Sequence, residues 1–91
     1  MLHKVYFDAI SHIEAFGDYV KVHTEDSILV THSTFSKFIE NLPDQFLRVH
    51  KSFTVNLNNM VSLTGNTINI SAHKIPIGQT YKQTVIKHLK L

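Results

Sequence analysis

No cysteine occurs among the 91 residues, which excludes a disulfide framework and thiolate chemistry and suits a reducing cytoplasm. No apolar run approaches the roughly 18–20 residues that cross a bilayer, and no signal-peptide core follows Met1. The chain therefore reads as soluble and intracellular, with no membrane partner. Linkers, repeats and low-complexity tracts are also missing, so one small domain is expected. The most telling absence is of negative charge in the second half. All seven acidic residues (Asp8, Glu14, Asp18, Glu25, Asp26, Glu40, Asp44) precede Gln45. Residues 1–45 carry three Lys and no Arg, a balance of −4, whereas residues 46–91 carry six Lys and Arg, a balance of +6. A basic half without carboxylates is the footprint of a surface that meets a polyanion, most often nucleic acid.

What is present sharpens this. The segment Phe46-Leu47-Arg48-Val49-His50-Lys51-Ser52-Phe53-Thr54-Val55-Asn56 sets a guanidinium, an imidazole, an ammonium and a hydroxyl within five residues, between apolar anchors. Around it the pattern is mostly β. Val5-Tyr6-Phe7 reads as the end of a strand. His12–Phe16 and Tyr19–Thr24 form a hairpin over Gly17-Asp18, and Ile28–His32 follows the Glu25-Asp26-Ser27 turn. Ser33 or Thr34 caps a short helix with Phe35, Phe38, Ile39 and Leu42 on one face, ended by Pro43. Strands are expected at Phe53–Val55, Met60–Leu63 and Thr67–Ser71, with Thr64-Gly65-Asn66 turning between the last two. Lys74–Gly78 reads as an edge strand because Pro76 lacks a ladder donor. From Gln79 or Thr80 to Leu89 the spacing of Tyr81, Val85 and Leu89 is helical. Two helices and eight or more short strands make a mostly β fold.

Ordered motifs over nearly the whole chain closely resemble the LytTR (LytR/AlgR) family of DNA-binding domains. They are Ile13-Glu14-Ala15, Gly17–Thr24, Leu42-Pro43, the Phe46–Asn56 segment, Ile75-Pro76-Ile77-Gly78 and Tyr81-Lys82. The resemblance implies an elongated stack of small antiparallel β-sheets with two short helices. It implies the output domain of a bacterial two-component response regulator, in which loops rather than a recognition helix enter successive major grooves. Residues 1–91 would be that single domain, without the family's first strand, which should precede Lys4-Val5, and without the upstream phosphoacceptor receiver. Its partners would be double-stranded DNA with repeated half-sites, a second copy on that DNA, and the receiver. No cofactor is implied.

Carried over by position, the family's base-reading residues fall on Tyr19 (or Asp18 beside it), Lys51 and Gln79. Lys51 can donate to guanine O6 or N7, and Gln79 can pair with adenine N6 and N7. Relatives often have Arg at the third position, so Gln79 departs from the pattern and removes one charge. Arg48, His50 and Ser52 read as phosphate-facing or loop-positioning groups, and Asn56 as a turn residue that bonds backbone. Thr80 and Lys82 at the start of the last helix add an anion-binding surface. Each has a plainer reading. Lys51 is a solvated surface lysine, Arg48 an ion-pair partner of Glu40 or Asp44, His50 a hydrogen-bonded core histidine, Tyr19 a half-buried aromatic, and Gln79 a first-turn residue.

Seven histidines raise metal binding as a rival use, but no His-x-His, His-x3-His or His-Glu-x2-His pairing occurs. If Val20 and Val22 pair with Val30 and Ile28, His23 and His32 point to opposite faces. No Gly-x-Ser-x-Gly or Walker motif suggests an enzyme. The alternatives to duplex binding are a single-stranded nucleic-acid binder, which needs exposed aromatic platforms, and a protein-interaction module on a β scaffold.

Overall fold

The computed structural model describes residues 5–89. Val5 and Tyr6 lead into a 3-10 turn, Phe7–Ala9. The strands are β1 (Ile10–Phe16), β2 (Tyr19–Thr24), β3 (Ile28–His32), β4 (Phe46–His50), β5 (Phe53–Asn56), β6 (Met60–Thr64), β7 (Thr67–Ile70) and β8 (His73–Pro76). Helix α1 (Phe35–Ile39) lies between β3 and β4, and α2 (Lys82–Leu89) closes the described chain. A five-stranded antiparallel sheet has the order β3-β2-β1-β5-β4, and a three-stranded one the order β6-β7-β8. The molecule is elongated, 42 × 23 × 21 Å. Mostly β, two stacked antiparallel sheets, two short helices: this is the fold the sequence pattern and the resemblance imply.

Strand alternation produces two cores, one on each face of the large sheet. On one face Ile10, Ile13, Val20 and Val22 are buried under Phe35, Phe38 and Leu42 of the α1 segment. On the other, Val49 and Val55 meet Ile68, Ile70 and Ile75 of the small sheet and Val85 of α2. Each fully buried Val or Ile contributes roughly 1.5–3 kcal/mol, which is how a short chain holds two cores. Gly17 and Gly65 take left-handed conformations (φ 58° and 60°) in their hairpin turns, where a Cβ would be strained.

Several local expectations are corrected. Val5–Phe7 is not the end of a strand. The side chains of Asn56 and Asn59 donate to the carbonyls of Phe7, Asp8 and Ile10, which ties the 3-10 turn and the start of β1 to the end of β5. Helix α1 stops at Ile39, and Glu40–Leu42 form a turn before Pro43, although Leu42 still reaches the core. Of the two expected cap residues, Ser33 and Thr34, it is Thr34 whose hydroxyl accepts the Lys37 N–H. Gln79–Tyr81 is a 3-10 turn ahead of α2.

The β2–β3 register also differs. Val20 pairs with Thr31 and Val22 with Leu29. The Thr24 N–H donates to the Ser27 carbonyl and Ser27 N–H to Thr24 Oγ1, which closes a turn centred on Glu25-Asp26 and fixes this pairing. His23, opposite Ile28, and His32, opposite Tyr19, therefore share one face at opposite ends of the hairpin. Lys4, which the family's first strand should precede, lies outside the described residues.

Candidate nucleic-acid interface

Antiparallel pairing brings the sequence-predicted segments to one end of the large sheet. Glu14 pairs with Lys21 and with Phe53, so the β1–β2 turn (Gly17-Asp18) and the β4–β5 turn (Lys51-Ser52) emerge side by side. The Ala15 N–H donates to the Ser52 carbonyl at 2.9 Å, tying the two turns together. A second tie, from Ser33 N–H to the Asp18 carbonyl at 3.3 Å, adds the β3–α1 connection. The third runs from the Gly78 N–H to the Val49 carbonyl at 2.7 Å. It sets the chain leading into α2 against β4, with Gln79 one residue from Gly78 and Lys51 two from Val49.

Gly78 makes that approach possible. A Cβ there would sit 3.1 Å from the Tyr81 ring and 3.4 Å from the His50 Cα. Close spacing, not a positive φ, is what favours a residue without a side chain here.

The donor-rich run Arg48–Ser52 is mostly strand: Arg48, Val49 and His50 belong to β4, and only Lys51 and Ser52 turn. The register shift between Arg48 and His50 accommodates Val49, which is fully buried in the inter-sheet core. Arg48 does not pair with Glu40 or Asp44. Its Nε donates to the His50 carbonyl (3.3 Å) and its Nη2 to the Lys51 carbonyl (2.7 Å), while its guanidinium lies 5.1 Å from the Phe35 ring and 5.7 Å from the Tyr81 ring. The cation thus holds the Lys51 turn and lies beside Tyr81, the last residue of the 3-10 turn ahead of α2. His50 Nδ1 accepts the Ser52 N–H at 3.1 Å. Both residues shape the turn rather than fill the core.

Lys51 is exposed, and among the described residues it has no carboxylate partner. Gln79, Thr80 and Lys82 are exposed as well, and Gln79 and Lys82 line a shallow depression with Asn66 and Ile77. Tyr19 is 46% exposed, with its ring edge-on to His32 at 5.2 Å. Asp18 is an exposed carboxylate at this same end. Glu25 and Asp26 close the opposite end of the β2–β3 hairpin, so these two carboxylates are kept away from the reading turns.

A cluster that the sequence did not reveal sits where the two sheets meet. His12 and His23 pair across β1 and β2 and stack at 4.0 Å with 13° between planes. His73, the first residue of β8, sets its ring edge-on against both, at 4.8 and 5.5 Å. Ser11 Oγ bonds His12 Nδ1 (2.8 Å) and Glu14 Oε1 bonds His23 Nε2 (2.9 Å). Burial, then the neighbouring His23 and His73, push the His12 pKa down from 6.5 to about 3. Parallel imidazoles direct their lone pairs along separate planes rather than to one point. Among the described residues no His, Cys, Asp and Glu group is arranged to hold a metal ion. These histidines lie far apart in sequence and meet only through strand pairing and sheet stacking, so no local spacing could have announced them.

The turns, their exposed donors and the fold can be set beside known proteins. The sequence profile of the LytTr DNA-binding domain matches residues 1–90. The sensory transduction protein LytT of Bacillus cereus is 33% identical over 79 residues, covering 79% of this chain and 32% of that protein. The protein of the same name from Bacillus anthracis matches with the same figures. The chain thus spans about a third of the length of these curated relatives. The solved LytTr DNA-binding domain of a methyl-accepting/DNA response regulator from Bacillus cereus superposes with a TM-score of 0.85 at 26% identity, over 96% of this chain and 86% of that one. The chain belongs to the LytTR family of DNA-binding domains.

Proposed function

We propose that this domain binds double-stranded DNA sequence-specifically, as the output module of a bacterial transcriptional response regulator in the cytoplasm. Lys51 and Gln79 read base edges in neighbouring stretches of major groove, with Tyr19 beside them. Ser52, Thr80 and Lys82 meet phosphates, and Arg48 and His50 position the Lys51 turn. Two copies occupy repeated half-sites on a duplex that bends to meet loops from one side. In the full-length protein a receiver domain controls that occupancy.

The observation that carries this reading is the set of three backbone bonds, Ala15 to Ser52, Ser33 to Asp18 and Gly78 to Val49, which gathers the separate donor-bearing turns at one end. Base reading by single side chains needs such fixed placement, because a lysine on a mobile loop gains charge attraction but little discrimination. The basic second half supplies the attraction.

A single-stranded ligand is disfavoured by the aromatics. Phe53 packs in the inter-sheet core, Phe46 against the α1-side core and Tyr81 beside Arg48, which leaves Tyr19, edge-on to His32, and Phe16, with the Lys21 ammonium 3.9 Å from its ring centroid, as the exposed rings at this end. Titrating duplex and single strand of the same sequence at one salt concentration tests the reading. Duplex should bind more tightly, with affinity falling steeply as salt rises. Preference for the single strand would overturn it.

A further inference from the structure

The two sheets have four edges, and three of them carry devices that stop another strand from adding. Strand β4 breaks register between Arg48 and His50, and Gly78 occupies its Val49 carbonyl. Strand β6 breaks register between Met60 and Ser62. Strand β8 carries Lys74 and Pro76. The fourth edge, β3, has none of these: Ile28-Leu29-Val30-Thr31-His32 contains no Pro, Lys, Arg, Asp or Glu and pairs with β2 without a register shift. A straight, apolar, unguarded edge is a template for strand addition.

The direction of its free groups follows from the ladder. Thr24–Ser27 and Asp18–Ser33 are bonded pairs at the two ends of the hairpin. Bonded and non-bonded pairs alternate in an antiparallel ladder. Val22–Leu29 and Val20–Thr31 are therefore bonded, and the N–H and C=O groups of Ile28, Val30 and His32 point away from β2. No described residue bonds them from the open side. The side chains of Ile28 and Val30 are 53% and 56% exposed.

We propose that β3 pairs with β3 of a second copy of this chain, antiparallel about a two-fold axis at Val30, joining the two large sheets into one. The outward residues 28, 30 and 32 are symmetric about Val30. Val30 therefore exchanges both backbone bonds with Val30 of the second copy, and Ile28 does so with the second copy's His32, at either end. Charge favours this partner over an arbitrary extended peptide. The acidic Glu25-Asp26 turn precedes β3 and the exposed Lys37 of α1 follows it, so antiparallel pairing brings each Glu25-Asp26 turn toward Lys37 of the second copy.

The pairing has a consequence that rests on the DNA-binding reading above, although the pairing itself does not. The candidate reading end adjoins His32, so the two-fold axis directs the two reading ends oppositely, and the paired form holds two separate duplex segments. This differs from two copies side by side on one site.

The 91-residue chain tests it directly. Sedimentation from micromolar to near-millimolar concentration should show a monomer–dimer equilibrium. Amide exchange should slow at Ile28, Val30 and His32 as the dimer forms, while Leu29 and Thr31 are slow throughout. Val30→Lys, at an exposed position, should keep the β-sheet circular dichroism and single-site DNA affinity and raise the dimerisation midpoint about tenfold or more. A chain that stays monomeric would overturn the proposal and leave β3 to a partner of other chemistry. A dimer unaffected by Val30→Lys, or one without added protection at those three amides, would overturn it too.

Discussion

Asn56 shows how one side chain can fix the path of a long stretch of this molecule. It is fully buried; its amide nitrogen donates to the carbonyls of Phe7 and Ile10, and its oxygen accepts from Asn58 N–H and the Gln45 amide. That joins the entry to β1, the end of β5 and the approach to β4. Asn56→Ala would leave buried donors and acceptors unmatched, and denaturant unfolding should show a loss of at least about 2 kcal/mol. A loss below about 0.5 kcal/mol would mean that these bonds are replaced by water at no cost. Arg48 works in a similar way near the surface. Its bonds go to the backbone behind Lys51 rather than to a carboxylate, so its contribution to binding acts through the shape of that turn.

The approach of β4 to the segment before α2 depends on the space at Gly78. Gly78→Ala should push the Tyr81 ring or the His50 backbone by a few tenths of an ångström and cost about 1–2 kcal/mol of stability. DNA affinity should fall while the circular dichroism stays native, because Gln79 and the Tyr81–Arg48 stack move together. Unchanged affinity in a variant that folds would disconnect that approach from binding.

The contact between β1, β2 and β8 includes His12, which burial and its histidine neighbours keep neutral. A His12 pKa of about 3 in the fold, against 6.5 unfolded, means that the unfolded chain binds more protons between those values. The stability that depends on neutral His12 is fully present above pH 6.5 and is lost as pH falls below it, by at most about 1.4 kcal/mol per pH unit for one proton. Urea unfolding from pH 7.5 to 4 should show this slope, and His12→Phe should flatten it. A slope of opposite sign would contradict the environment described for His12.

The hairpins were legible in the sequence because Gly17-Asp18 and Thr64-Gly65-Asn66 announce their turns and β-branched residues alternate on either side. The donor-rich Phe46–Asn56 segment was equally visible. The β2–β3 register was not, since a shift of one residue keeps an apolar pattern and the Thr24–Ser27 bonds decide it. Nor was the strand character of Arg48 to His50, where a dense run of polar donors imitates a loop although Val49 drives it into the core. Nothing in the Val5–Phe7 pattern could show that an asparagine 49 residues away would take the Phe7 carbonyl.

At the scale of the whole molecule, charge and topology reinforce one another. The first half of the chain forms β1 to β3 and α1, and its Glu25-Asp26 turn lies away from the Lys51 turn; the second half brings the cations. The antiparallel order β3-β2-β1-β5-β4 sets the β1–β2 and β4–β5 turns at the same end, and the backbone bond at Gly78 adds the start of α2. Neither half could assemble these turns alone. The account therefore rests on fixed side chains reading bases from one end of a rigid stack, with Lys51 foremost. Selection of bound sequences from a pool of random duplexes, run in parallel with the wild-type chain and with Lys51→Ala, tests this most directly. The wild type should enrich repeated half-sites. Lys51→Ala should bind the enriched site about 1–3 kcal/mol more weakly and lose preference at one base pair per half-site while keeping the others. A uniform loss across all sequences, or no enriched sequence for the wild type, would contradict it.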